Sequence, residues 1–323
     1  MSCLSADRIH VWNRCHNCGM KPIEGRRFSC RICPAGPDND LCEACFAAWE
    51  RRQVRHPSAN SPADGLTLGA HEFDAHEGKN PDQYDLWSKV SDTRCAPPAS
   101  LPPRFLVRPE LRNGADSYFV SHAFVVRSEN GSEPIILTAL HTLDELIKRK
   151  GIDCTEDNRA YTGHELPRHI EAVQLYDLAA RNWMIAELGA AGNMLVLPGA
   201  RIGGEEPYSQ RDIAAFRAGP CRSLTPIGLA GADPVVGEPI SLVARGIGGT
   251  KPDQFPAVVV ELTESTMIFR FQGQELPPHT SGAPLMNSYG DVVGINVGGG
   301  SFGGRLFGHA NQVTSIRRHL GWS

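Results

Sequence analysis

From about residue 115 to its end, the chain is a succession of short apolar runs parted by glycine and proline. Runs of this length, rich in Val, Ile and Phe and bounded by turn residues, are the signature of β-strands. The pattern predicts strands at Tyr118–Arg127, Pro134–Ala139, Ile170–Tyr176, Trp183–Leu188, Met194–Leu197, Ile213–Arg217, Ile240–Arg245, Ala257–Leu262, Thr266–Phe271 and Val292–Val297. So many short strands with turns between them predict an antiparallel sandwich or barrel. Helical spacing occurs in two places. A short helix is expected after His141, through Leu143, Leu146 and Ile147, and another at Gln312–Leu320, with Val313, Ile316 and Leu320 on one face.

The chain upstream has a different texture. Residues 8–76 hold most of its cysteines and a run of histidines. Residues 77–114 carry Pro97, Pro98, Pro102, Pro103 and Pro109, a density that suits an extended connector. Three segments are therefore expected: 8–76, a linker 77–114, and a domain 115–323. The length, 323 residues, agrees with about two domains.

Charge and composition narrow the function classes. A net charge of -4 and one short basic cluster, Arg26, Arg27 and Arg31, give no electrostatic case for nucleic acid. No apolar run is long enough to cross a bilayer, and Met1–His10 lacks the apolar core of a signal peptide. The expected location is the cytoplasm, with the nucleus as the alternative, and neither membrane nor nucleic acid is an expected partner. Six of the ten cysteines fall between Cys15 and Cys45. A disulfide framework would spread them through the domain it staples, so their clustering favours metal.

The six form three Cys-x-x-Cys pairs: Cys15/Cys18, Cys30/Cys33 and Cys42/Cys45. Each such turn lets two thiolates reach one ion at tetrahedral angles. Six thiolates exceed the need of one zinc ion, and two ions require two further ligands. His56, His71 and His76 follow at once. The segment resembles the ZZ-type zinc finger in Cys15-His-Asn-Cys18-Gly, in Pro22 to Cys30, and in Asp40-Leu-Cys42-Glu-Ala-Cys45-Phe46. The resemblance implies a cross-brace, with Cys15, Cys18, Cys42 and Cys45 on one ion and Cys30, Cys33 and two histidines on the other. His56 and His71 are the expected histidines and His76 the alternative, because an insertion rich in Ser, Pro, Ala and Gly separates the first two. Both ions are expected to be structural, since full shells leave no open position. The resemblance further implies a module that binds a protein tail or peptide.

A second constellation lies downstream. Ile136-Leu-Thr-Ala-Leu-His141 is an apolar run ending in histidine. Asp212 precedes the apolar Ile213–Phe216. His279-Thr-Ser281-Gly-Ala-Pro precedes Asp291-Val-Val-Gly-Ile. A serine hydroxyl needs an imidazole to take its proton, and the imidazole needs a carboxylate to fix its tautomer. His, Asp and Ser in this order, in a β-rich region, resemble the trypsin-like (chymotrypsin-fold) serine proteases. Leu-Thr-Ala-Leu-His matches that family's Leu-Thr-Ala-Ala-His, and Thr-Ser-Gly-Ala-Pro its Asp-Ser-Gly-Gly-Pro.

The resemblance implies catalytic His141, Asp212 and Ser281, with Asp177 as the alternative carboxylate. It implies an oxyanion hole from the backbone of His279 and Ser281, and a substrate pocket near Glu275 and Asn296, Val297 and Gly298. The family usually has glycine where this chain has His279, a departure from its pattern. The expected fold is mainly β: a small zinc-stabilised finger, then a two-β-barrel chymotrypsin-like domain ending in a helix. The expected function is serine endopeptidase cleavage of a protein or peptide substrate recruited by the finger. The alternative is a catalytically inactive adaptor whose finger mediates protein–protein contact.

Overall fold

The computed structural model describes residues 9–10, 13–30, 40–51, 53, 73–76, 86–90, 101–129, 131, 133–143, 146, 166–197, 199–200, 211–219, 223–246, 249, 251–264, 266–273 and 279–322. It divides into two compact units, one built chiefly from Met1–Lys89 and a larger one built from Val90 onward.

The smaller unit has β1 (Ile9–His10), β2 (Ile23–Glu24), β3 (Arg27–Cys30), β4 (Asp40–Cys42), α1 (Glu43–Glu50) and β5 (Phe73–His76). Strands β4, β3 and β5 form one sheet, and β1 pairs with β2. Phe46 and Trp49 stand three residues apart on α1, so they share a face. That face meets the sheet: Phe46 stacks on Phe28 at 3.9 Å, and Trp49 lies 4.8 Å from Phe73 between ring centroids. Ile23, Leu41 and three cysteines complete the core. The buried carboxylate of Asp40 accepts from Asn13 Nδ2 at 2.7 Å and Arg27 Nη1 at 3.3 Å. Those bonds satisfy a charge that burial would otherwise make costly. They also fix the strand that delivers Cys42.

In the larger unit, β6 (Leu106–Asn113), β7 (Asp116–Phe119), β8 (Ala123–Val126), β9 (Ile135–Thr138), β10 (Ala172–Asp177), β11 (Glu187–Ala190) and β12 (Ala214–Arg217) form one antiparallel sheet. Its order is β11-β10-β6-β8-β9-β12, with β7 also on β6. The sheet curls into a half-barrel. Beyond β11, the Gly192 amide donates to Arg217 and the Leu195 amide to Ala215, so the chain returns to β12. The second sheet is a closed six-stranded barrel, β13 (Pro239–Ala244), β14 (Asp253–Leu262), β15 (Met267–Phe271), β18 (Arg305–Gln312), β17 (Val292–Phe302) and β16 (Pro284–Met286) in spatial order. Alternate residues fill it, as in Met267, Phe269 and Phe271 of β15. The last element, α2 (Val313–Leu320), buries Val313 and Ile316. It stops at Gly321, whose left-handed backbone is an ordinary C-terminal cap.

The mainly β architecture expected from the patterning is present, and α2 falls where its periodicity placed it. Four details differ. Residues 106–113, read from their prolines as connector, form β6. The strand accommodates Pro109 because the ladder uses its carbonyl, which accepts the Val120 amide at 2.9 Å. Trp183–Ile185 is a 3-10 turn rather than the start of a strand, and Met194 contributes only an isolated bridge. The run Tyr118–Arg127 breaks into β7 and β8 around Val120–His122. Finally, β18 carries buried His309, Asn311 and Gln312, polar residues that hid a strand from a hydrophobic pattern.

Candidate active site and cysteine cluster

His141 sits in a 3-10 turn, Leu140–Leu143, held down by buried Leu140 and Leu143 directly after β9. Asp212 lies just ahead of β12, which pairs with β9 so that Ala214 faces Thr138. One ladder thus brings together two residues far apart in sequence. Asp212 Oδ1 accepts the His141 backbone N–H at 2.8 Å, and Oδ2 meets His141 Nδ1 at 2.6 Å. The carboxylate side chain is almost fully enclosed, at 2% exposure, while the imidazole is 28% exposed. An acceptor at Nδ1 places the proton there and leaves Nε2 as a base. Asp177, the alternative carboxylate, instead accepts the Ala179 amide at 2.8 Å and closes its own turn.

Ser281 lies in a turn pinned from two directions. On one side, Asn296 Nδ2 donates to Thr280 O at 3.0 Å and to Thr280 Oγ1 at 3.1 Å. The Gly282 amide donates to Asn296 O at 2.8 Å. Ser281 Oγ donates to Val297 O at 3.1 Å. On the other side, the His122 amide donates to Ser281 O at 3.2 Å. Gly282 has φ +82, and a Cβ there would overlap His122 O and Thr138 Oγ1. Both the left-handed backbone and the close approach therefore require glycine. His279 also has a left-handed backbone, φ 56. For a residue with a Cβ that conformation costs roughly 1–2 kcal/mol.

His122 is the buried hub behind this turn. Its carbonyl accepts Thr138 Oγ1 at 2.6 Å. Its ring Nε2 accepts the Arg245 amide at 3.0 Å, and Nδ1 lies 3.1 Å from Ser121 Oγ. Ser121 Oγ in turn donates to the His279 carbonyl. Burial lowers the imidazole pKa to about 4, with the positive charge of Arg108 acting in the same direction.

In the smaller unit, the sulfurs of Cys15, Cys18, Cys42 and Cys45 all lie within 4.8 Å of one another. Four thiolates at zinc distance occupy tetrahedral corners about 3.8 Å apart. Cys18 Sγ and Cys42 Sγ are 3.8 Å apart. Asn17 Nδ2 donates to Cys45 Sγ at 3.3 Å, an outer contact that stabilises a thiolate. A hydrogen bond from the Cys42 thiol lowers Cys15 to about 4, and the same bond raises Cys42. The cluster already favours thiolate at one corner, and the donor set fits a tetrahedral zinc ion.

A family model described as the trypsin-like peptidase domain matches residues 121–295. The chain belongs to that family. The ZZ-type zinc finger model matches residues 9–56. No curated protein matches the chain. Among solved structures, the active form of the Rv3671c protease from M. tuberculosis is similar at 15% identity and TM-score 0.42, over 72% of this chain and 91% of that one. The serine endoprotease from Yersinia pestis is similar at 15% identity and TM-score 0.39, over 75% and 67%. Deg5 is similar at 15% identity and TM-score 0.40, over 73% and 91%.

The peptidase domain thus carries the His141–Asp212 pair beside β9 and β12 and the Ser281 turn just ahead of β16. Of the expected pocket residues, Asn296 and Val297 are buried beside the Ser281 turn. A Cβ on Gly298 would lie 2.9 Å from His309 Nε2. Glu275 lies outside the described residues, as do Cys33, His56 and His71. Cys30 is described and buried. Register bears on the alternative histidine: Phe73 pairs with Cys30, whereas His76 pairs with Arg27 at the other end of β3. Sequence reasoning passed over Ser121, His122 and Thr138. The available signal was a polar pair, Ser121-His122, in the middle of an apolar run.

Proposed function

We propose that this peptidase-family chain is an active serine endopeptidase that cuts protein or peptide chains by acyl transfer through Ser281. The observation that carries the reading is the double hydrogen bond of buried Asp212 to His141, which fixes the tautomer a general base needs. In the proposed mechanism His141 Nε2 takes the Ser281 proton as Oγ attacks the scissile carbonyl. The imidazolium then returns that proton to the leaving amine, and water repeats the cycle on the acyl-enzyme. The backbone amides of His279 and Ser281 meet the developing oxyanion, a contact of roughly 3–4 kcal/mol per donor in other enzymes. Glu275, Asn296, Val297 and Gly298 belong to the proposed substrate pocket.

The smaller unit is proposed to bind two structural zinc ions. Cys15, Cys18, Cys42 and Cys45 hold one. Cys30 and Cys33 hold the other with His56 and His71. Pairing of Phe73 with Cys30 supports His71, two residues upstream, over His76. Zinc supplies folding free energy here, and the finger recruits a protein tail or peptide. The test is labelling by a fluorophosphonate. Wild type is labelled and Ser281→Ala is not; equal labelling of the two overturns the assignment. The adaptor reading draws on one observation, the Ser281 hydroxyl engaged by the Val297 carbonyl. Turnover of any peptide, abolished by His141→Ala, excludes it.

A further inference from the structure

The oxyanion turn is held in a left-handed conformation at His279, where a Cβ makes that conformation unfavourable. Something outside the turn must hold it. The His279 carbonyl is gripped by Ser121 Oγ, which in turn lies 3.1 Å from the ring of His122. The direction of these bonds follows from one fixed donor. The Arg245 amide, directly after β13, can only donate, and it points at His122 Nε2. That nitrogen must be unprotonated, so the neutral ring carries its proton on Nδ1. Nδ1–H faces Ser121 Oγ at 3.1 Å. With its lone pair occupied, the serine hydroxyl turns its own proton to the His279 carbonyl. A relay of three bonds thus runs from the second barrel, through the segment before β8, to the turn beside the nucleophile.

We propose that His122, acting through Ser121, is a positioning residue that locks His279 in the left-handed conformation and so aims the amides of the oxyanion hole. The inference rests on the serine peptidase reading for its functional meaning, but its geometry stands without it. The neighbours of the imidazole agree with a neutral, direction-setting role. The positive charge of Arg108 opposes a second proton on the ring. The Arg245 side chain is occupied elsewhere, on the carbonyls of Leu178, Ala180, Arg181 and Gly249. A second proton on the ring would set Nε2–H against the Arg245 amide and break the relay.

The experiment is a rescue. Ser121→Ala removes the last donor of the relay. His122→Phe removes both ring nitrogens and keeps a ring in place. Each is expected to slow fluorophosphonate labelling of Ser281 at least tenfold, with the loss in the first-order step rather than in probe affinity. His279→Gly, which can take a left-handed backbone freely, is then combined with each. The double variants are expected to label within threefold of His279→Gly alone. Unchanged labelling of the single variants, or additive losses in the double variants, overturns the proposal. Should His122→Phe fail to fold, Ser121→Ala and its rescue carry the decision. If wild type labels no faster than Ser281→Ala, the peptidase reading fails instead. A crystal structure of Ser121→Ala then decides the relay. A His279 backbone that moves to negative φ upholds it, and one that stays left-handed overturns it.

Discussion

The carboxylate of Asp212 makes two bonds to one residue, and each does different work. The bond to the His141 amide fixes where the 3-10 turn sits, and the bond to Nδ1 fixes the ring. Asp212→Asn preserves the shape but can present N–H to Nδ1 and invert the tautomer. The expected loss in turnover is roughly 10³–10⁴-fold, with the fold intact, read as kcat on any cleaved peptide. Gly282→Ala is expected to act on stability instead. Its Cβ would meet the His122 carbonyl and Thr138 Oγ1 at positive φ, and a melting experiment should register a loss of at least about 2 kcal/mol. His122 adds a pH dependence. Its folded pKa, lowered to about 4, lies below the ordinary value near 6.5. Between those values the unfolded chain binds a proton that the native chain refuses, so stability falls as the pH is lowered from 6.5 to 4. The full effect is up to about 3 kcal/mol. His122→Phe should reduce the slope of stability against pH in that window by close to one proton, and an equal slope would refute the shift.

At the scale of elements, legibility depended on how far each signal stays local. The three Cys-x-x-Cys turns are local, and the sulfurs of two of them come together in the grouping the ZZ resemblance implies. Strands β9, β12 and β15 declare themselves by short, largely apolar runs. By contrast β18 is buried through His309, Asn311 and Gln312, whose place is set by the closed barrel around them rather than by their neighbours in sequence. His141, Ser281 and the preferred carboxylate, Asp212, are legible from flanking apolar runs, whereas the contact of Asp212 with His141 depends on the pairing of β9 with β12. The polar pair Ser121-His122 inside an apolar run marks the position of His122 but not its role, because its partners lie on β9, after β13 and in the Ser281 turn. The finger gives the element-scale prediction. Its apolar core is a handful of side chains around Phe28, Leu41 and Trp49, too few to hold so small a unit without metal. A chelator should red-shift the emission of Trp49 and release two zinc ions per chain by metal analysis. Cys15→Ser should release one. Retention of the buried Trp49 signal after complete zinc removal would show that the core suffices.

For the whole molecule, the boundary between connector and peptidase is a structural question with a thermodynamic answer. Proline density suggested that the peptidase begins near residue 115. The sheet disagrees: β6 stands between β10 and β8 and also carries β7. Its residues Leu106, Val107 and Leu111 are buried, together with the preceding Phe105. Further back, the Val90 carbonyl accepts Arg270 Nη2 at 2.7 Å, and Arg270 is itself buried. Removing this segment would leave three strands, β10, β8 and β7, without their β6 partner and would take away four large buried side chains, each worth about 1.5–3 kcal/mol when buried. That sum is comparable to the whole stability of a domain. A fragment that begins at Val90 is therefore expected to melt cooperatively, while one that begins at Ala115 aggregates or shows no transition by circular dichroism. If both fragments melt alike, β6 is an accessory strand and the connector extends as far as the prolines implied. If only the longer one folds, the same fragment also provides a peptidase free of the finger, on which labelling of Ser281 can be compared with that of the full chain.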